Sequence, residues 1–275
     1  MARHDPRNVA RFWNDQATPG LSLMCAAFTT HEYAPHVHDG FVVAATEAGG
    51  AEVKSRGVVG RAQTSSLLVF NPGEPHSGWM GDSCEWRYRA FYVSKCAIDR
   101  ITESFGTARP GYFIHNAVRD QHLIDHFLAL HRALEIGADS FRSRELFLEA
   151  FATLFARHAD GSPPPPAAPR DRTLLAAVDA IMQSRYSEHL LLDDLAHDVG
   201  LTPFQLIGLF KRTVSLTPHA YLTQVRLTRA CDHLRRGEPI AAAATHCGFY
   251  DQAAFTHHFK RCYGITPLQF AKAVN

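Results

Sequence analysis

The spacing of apolar residues changes character along the chain. Up to residue 93 they come in short runs, of which Leu21–Thr30, Phe41–Glu47, Ser66–Phe70 and Glu85–Val93 are the clearest. Glycine pairs or Asn71-Pro72-Gly73 separate them. Short apolar runs punctuated by turn residues predict the strands of a sandwich or barrel. After about residue 114 the period becomes helical. Leu123, Phe127, Leu130 and Leu134 repeat at i, i+4, i+7 and i+11, and Leu146/Ala150/Leu154 and Phe147/Phe151/Phe155 form two adjacent rows. Such a doubled stripe admits two readings. Both helices cover the strands, or part of the stripe is a subunit interface. The run Ser162-Pro163-Pro164-Pro165-Pro166-Ala167-Ala168-Pro169 then predicts a stiff extended spacer, and everything beyond it is helical in pattern.

The fold class expected is therefore α+β in two domains. Residues 1–112 form a β-barrel, 113–160 a helical linker or dimerisation segment, 161–171 a proline-rich linker, and 172–273 an all-α domain. A composition of 46% hydrophobic and 20% charged residues is that of a soluble globular protein. The N-terminus carries no apolar run that would read as a signal peptide, and nothing approaches the ~18 continuous apolar residues of a membrane span. Cys25, Cys84, Cys96, Cys231, Cys247 and Cys262 include no C-x-x-C pair, which suits a reducing cytoplasm and argues against a zinc ribbon. Net charge is +1, but from Arg170 onward 12 Lys and Arg face 9 Asp and Glu, a mildly basic half.

Inside that half lies an internal repeat. Phe210-Lys211-Arg212 and Thr217-Pro218 recur as Phe259-Lys260-Arg261 and Thr266-Pro267, each copy preceded by Ala-x-x-x-Gly, at Ala196 to Gly200 and Ala244 to Gly248. A repeat of about 49 residues with only helical patterns means two copies of one helical unit. The small Ala lets two helices cross closely, and the Gly supplies the positive φ of the turn between them. Thr202 before Pro203, and Asp251, are suited to cap the second helix of each unit, with Phe210 and Phe259 as its anchors. The helix-turn-helix units fall at about 192–213 and 240–262. Between them Pro218–Arg236 reads as one helix closed by Gly237, with Leu222, Val225, Leu227, Ala230 and Leu234 inward. A rigid connector suits two major-groove segments roughly 34 Å apart.

Residues 172–273 resemble the DNA-binding domain of the AraC/XylS regulators. The resemblance rests on Arg226-Leu227-x-x-Ala230, Gly248-Phe249, Asp251-Gln252-x-x-Phe255, Phe259-Lys260-Arg261 and Gly264-Ile265-Thr266-Pro267. It implies a cytoplasmic, non-enzymatic transcriptional regulator. One protomer would span two adjacent major grooves of double-stranded DNA, as a homodimer on repeated sites, with RNA polymerase as a further partner. In the first unit Thr202, Phe204, Gln205 and Ile207 are the candidate contacts, although Ile207 and Gly208 stand where relatives carry polar readers. Leu191 replaces a usual capping Ser or Thr. In the second unit Asp251, Gln252, Thr256, His257 and His258 are better equipped to read bases, with Gln252 suited to adenine, and the resemblance puts His257 at a position where relatives often read guanine. Lys211, Arg212, Lys260 and Arg261 are placed for phosphates.

The first domain resembles a degenerate cupin barrel of the kind that serves as effector domain in this family. His36-Val37-His38 and Asn71-Pro72-Gly73-Glu74-Pro75-His76 carry its chemistry. On a strand, His36 and His38 share a face, and His76 arrives after the turn. Three roles are open. The histidines bind a small polar effector, with Trp79, Trp86 or Tyr88 as an apolar wall; they hold a metal; or they tie loops to the rim. No glutamate follows His38 by four or five residues and Glu47 is too far along, so neither metal nor cofactor is expected. Arg87 and Arg89 alternate with Trp86 and Tyr88, so only one pair can face the interior, and inward arginines would favour an anionic effector. The alternative function is a cupin-type metalloenzyme with an accessory helical domain, and a third is a DNA binder without sequence choice.

Overall fold

The computed structural model describes residues 8–104, 111–137, 140–159, 161 and 168–275. The chain divides into two compact units, Met1–Pro163 and Pro164–Asn275. Most of the proline spacer, residues 162–167, lies outside the described residues.

Unit one is built on nine strands, β1 Val9–Asn14, β2 Leu21–Phe28, β3 Glu32–His36, β4 Phe41–Ser55, β5 Val58–Gln63, β6 Leu67–Phe70, β7 His76–Trp79, β8 Trp86–Val93 and β9 Ala117–Val118. Three helices join them, α1 Lys95–Ser104, α2 Gln121–Glu135 and α3 Ser140–His158. All pairings are antiparallel, in the order β1-β2-β8-β4-β6-β9, with β3, β5 and β7 in a second layer. The long β4 belongs to both layers. Phe41 to Gly49 pair with β8, and Gly50 to Ser55 pair with β5. The crossing is made at a register shift between Thr46 and Ala48, followed by Gly49 at φ 65°. A Cβ at Gly49 would stand 1.9 Å from the Glu85 carbonyl oxygen, so only glycine fits that corner.

The expected barrel is not closed. Among the described residues β1 pairs only with β2 and β9 only with β6, leaving open edges at both ends. The reason lies in what covers the sheet. The helix-facing side of β2, β4, β6 and β8 presents Leu21, Leu23, Phe41, Val43, Val69, Phe91 and Val93, which pack into one core with Leu123, Phe127, Leu130, Phe147, Ala150, Phe151 and Leu154. Phe91 meets Phe127 at 5.4 Å and Phe151 at 6.2 Å, edge to face. Both rows of the doubled stripe thus pack on the chain's own core, Phe155 only partly buried at its margin, and α2 and α3 belong to the same unit as the strands. Within this chain the stripe covers the strands. The helix α1 precedes the position where the apolar period changes, and the sequence reading did not include it.

Unit two holds α4 Pro169–Arg185, α5 Leu192–Asp198, α6 Pro203–Thr213, α7 Pro218–Arg235, α8 Ile240–His246, α9 Gln252–Tyr263 and α10 Pro267–Val274. Thr202, Thr217, Asp251 and Thr266 cap α6, α7, α9 and α10 through side-chain oxygens, and Leu191 caps α5 with none. Gly200, Gly237 and Gly248 take φ of 66°, 77° and 75° at the three expected turns. Val178 and Met182 of α4 complete the first unit's core with Leu195, Ala196, Leu206, Leu209, Phe210 and Leu222. Phe255, Phe259 and Phe270 form the second's, with ring centroids 5.5 and 5.6 Å apart along the series.

The end of α4 is where these parts meet. Arg226 of α7 donates to the carbonyls of Tyr186 at 2.7 Å and Glu188 at 2.8 Å. A Cβ on Gly248 would lie 2.8 Å from the Tyr186 and Ser187 carbonyl oxygens, so the second turn sits directly on the same strip of backbone. Arg226→Ala removes two charged hydrogen bonds, one half-buried and one exposed, and is expected to cost roughly 2 kcal/mol. Hydrogen-exchange protection of α4 and α7 in the full chain measures it; unchanged protection in both helices would show the contact to be incidental.

Candidate DNA-reading faces and sensor interior

Each reading helix turns a buried row inward, Leu206/Leu209/Phe210 on α6 and Phe255/Phe259/Cys262 on α9. At 100° per residue the opposite face of α6 carries Phe204, Gly208 and Lys211, and that of α9 carries Ala253, His257 and Lys260. Phe204 is 84% exposed, an unusual condition for a phenylalanine in water. His257, Gln252 and Arg261 are exposed, while Thr256 and Lys260 lie half-buried at the flanks. His258 is also half-buried, 6.1 Å from the Phe249 ring, and burial lowers its pKa. It supports the helix more than it presents it.

Several expected contacts are already engaged within the protein. Gln205 returns its side chain to the Thr202 backbone N–H at 2.9 Å while the Thr202 hydroxyl accepts from the Gln205 N–H, a capping box that occupies both. Arg212 is held by Asp171 of α4 at 3.2 Å, so of the first unit's two cations Lys211 is the one facing outward without that tether. Asp251 is committed to the Ala254 N–H at 2.7 Å. Ile207 is half-buried beside Gly208. Tyr250, 97% exposed immediately before α9, was absent from the sequence reading. Phe249 is the counterpart of Leu201, each bonding its N–H to the carbonyl of the small residue of the turn, Ala244 and Ala196, and Tyr250 is an added residue between it and the Asp251 cap.

The sensor unit resolves the alternation on β8. Trp86, Tyr88 and Tyr92 point between the two layers, and Arg87 and Arg89 point away. Arg89 joins Glu47 at 2.9 Å and Glu135 at 2.5 Å, and donates to His131 Nδ1 at 3.0 Å, so it ties β8 and the β4 corner to α2. His131 in turn donates from Nε2 to the Met24 carbonyl at 3.1 Å. Glu47 also accepts from Arg132, on the face away from the histidines.

His36, His38 and His76 come together between the layers, with ring centroids 4.4 to 5.2 Å apart. Strand β3 ends at His36, so His38 reaches the group from the following loop, where a strand had been expected. Trp79 stands three residues from His76 on β7, and the alternation of that strand turns it to the other face; it is not part of the wall. Trp86 and Tyr88 are stacked at 4.3 Å, with the Trp86 indole N–H donating to Thr46. Tyr33, Phe70 and Tyr92 complete the surround. The Tyr33 and Tyr88 hydroxyls share a 2.5 Å hydrogen bond, the Phe70 ring is stacked on His76 at 3.9 Å, and Tyr92 lies 5.2 Å from His38. Tyr92 was legible in principle, since it continues the Trp86/Tyr88 alternation.

Backbone carbonyls orient two of the imidazoles. His36 Nδ1 lies 2.8 Å from the Ala34 oxygen and His76 Nδ1 2.9 Å from the Glu74 oxygen, so both Nδ1 atoms carry the proton. Their Nε2 lone pairs then face the cluster, and His38 Nε2 donates to His36 at 3.1 Å. Burial holds His36 at a pKa of about 3 and His76 at about 4, and drives His38 well below the ordinary value, so all three are neutral at pH 7. The donor atoms lie within 4.8 Å of one another, close enough for three metal ligands. No carboxylate joins them among the described residues. Glu47 is turned away, and Glu74 is held by Asn71, Ser55, Asn116 and Arg56.

Residues 18–156 match the AraC-like ligand binding domain, and residues 195–273 a helix-turn-helix domain. The HTH-type transcriptional regulator YbfI of Bacillus subtilis is 26% identical over 245 residues, 86% of this chain and 87% of that protein. The arabinose operon regulatory protein of Escherichia coli is 24% identical over 236 residues, 84% of this chain and 80% of its own. Among solved structures, ToxT from Vibrio cholerae superposes with a TM-score of 0.55 at 11% identity, covering 98% of this chain and 99% of that one, a likeness of fold. With both halves matched in this order, the chain belongs to the AraC family of DNA-binding transcriptional regulators and carries the family's ligand-binding domain.

Proposed function

We infer that promoter choice is made chiefly by the second unit, and that the first adds apolar and phosphate contacts. The observation that carries this is the pair of outward faces. One offers His257 with Gln252 and Thr256 beside it, while the other offers Phe204, Gly208 and Lys211. Phe204 and Ile207 suit thymine methyls, Gln252 suits adenine and His257 guanine. Lys211, Lys260 and Arg261 suit phosphates, which position without specifying. Work as a homodimer, contact with RNA polymerase and the absence of turnover belong to the same reading and rest on the family resemblance.

On a site selected from random DNA, His257→Ala is expected to lose about 1–3 kcal/mol of affinity while binding to bulk DNA stays as it was. Lys260→Ala is expected to weaken both alike and to flatten the salt dependence by about one phosphate. Equal losses on selected and bulk DNA for His257→Ala would sink the assignment.

For the sensor, we infer a small polar effector whose hydroxyl or N–H donors meet the Nε2 lone pairs of His36 and His76, with Trp86 and Tyr88 as the apolar wall. Arg87 and Arg89 lie on the far face, so a carboxylate loses its expected clamp. One ToxT structure holds an unsaturated fatty acid; the polar, histidine-lined interior here favours a different class. In a thermal-shift screen of the full chain, a neutral polyol or amine at 100 times its Kd should add about 2.7 kcal/mol, insensitive to chelator and reduced in His76→Phe. A second reading is favoured by the convergence of three neutral imidazoles, which also suits a divalent metal sensed directly. A shift produced by metal alone and abolished by chelator would select it.

The buried imidazoles also set an acid limit. Their pKa values are depressed in the fold, so below about 6.5 the unfolded chain takes up protons that the native one refuses, and stability falls with pH. Each histidine contributes up to about 1.4 kcal/mol per pH unit across the window from 6.5 toward 4. All three tryptophans, Trp13, Trp79 and Trp86, lie in unit one, so their fluorescence follows its melting without interference. A Tm that stays level from pH 7 to pH 5 in chelator would contradict the arrangement.

A further inference from the structure

A second cluster of metal-ligating side chains lies away from both sites above, at the junction between the connector helix and the second helix-turn-helix unit. His233 stands in the last turn of α7, Glu238 follows the Gly237 turn, and His246 closes α8. The carboxylate lies between the two imidazoles. His233 Nδ1 meets Glu238 Oε2, and His246 Nδ1 lies 2.5 Å from Oε1. The donor atoms are within 4.8 Å of one another.

We propose that His233, Glu238 and His246 form a binding site for a borderline divalent cation such as Zn²⁺, which clasps α7 to α8. Two imidazole nitrogens and a carboxylate oxygen are a ligand set that such ions favour over Mg²⁺ or Ca²⁺, which prefer oxygen alone. Three protein ligands leave a fourth position for water.

Three further observations support the site. First, Glu238 Oε1 is enclosed by protein with His246 Nδ1 as its close neighbour, and no hydrogen bond of good geometry satisfies it. Second, both helices bring their C-terminal ends to the site, where the helix dipoles place partial negative charge that favours a cation. Third, the ligands arise from three consecutive elements, α7, the turn and α8. Side-chain rotation would part the close contacts to the roughly 3.3 Å that separates neighbouring ligand atoms around a tetrahedral zinc. Cys247, next in sequence, is fully buried and is not among the atoms that converge.

The test uses the full chain, stripped with chelator and then loaded with Co²⁺ or Zn²⁺. Bound metal is counted after dialysis, and the visible spectrum of the cobalt form is recorded. His246→Ala and Glu238→Gln are compared with the wild type, and their circular dichroism confirms folding. Any ion held by His36, His38 and His76 is common to all three proteins and cancels in the difference. The expected result is one equivalent fewer in each variant, with loss of the corresponding visible absorption. Affinity at this site should drop at least about tenfold, since even outer partners of a ligand are worth that much. Equal metal content in wild type and His246→Ala would overturn the proposal, as would loss in that variant with full retention in Glu238→Gln. In either case the cluster is a pair of histidine–carboxylate contacts and nothing more.

Discussion

The strip of backbone from Tyr186 to Glu188 organises the DNA-reading half. A helix C-terminus leaves carbonyls without partners, and here they are supplied by Arg226 from the connector, while Gly248 brings the second turn onto the same atoms. The two reading helices are therefore referred to a common point. If either contact were longer, the interval between the outward faces of α6 and α9 would no longer be set by covalent geometry plus one bidentate clamp. Burial lowers the pKa of Arg226, yet a guanidinium remains charged, so the clamp does not switch within any biological pH range.

In the sensor half a different constraint rules, the two-residue period of β8. Because successive side chains alternate, one strand gives an aromatic wall to the histidines and a cation to the helices. Arg89 then stands between Glu47 at the β4 corner and Glu135 at the end of α2, so the corner that lets β4 pass from layer to layer is anchored to the covering helix. The sheet needs no closure because its apolar side is covered by α2 and α3 instead of by itself.

Much of this could be read from the residues. The twin Ala-x-x-x-Gly turns, Thr-Pro starts and Phe-Lys-Arg anchors located both units, since each depends on local chemistry that sequence spells directly. The strands of β2, β4, β6 and β8 were legible for the same reason, while the two-residue β9 carries too little pattern to register. What could not be read was how polar side chains share partners. Nothing in the letters says that Arg212 belongs to Asp171, or that Glu47 turns away from the histidines. Those outcomes depend on distances between elements far apart in the chain. Alternation on β8 offered two choices, and only the packing of α2 decided between them.

Gly248 has a consequence for how such a regulator diversifies. The second unit is docked through main-chain atoms at a position that tolerates no side chain, whereas the letters it meets are chosen by side chains on a surface that bears no structural load. On the assignment proposed for His257 and Phe204, exchanges around them change promoter choice without disturbing that docking. The phasing between half-recognition elements on the duplex, written in backbone, passes unchanged from one generation of binding sites to the next.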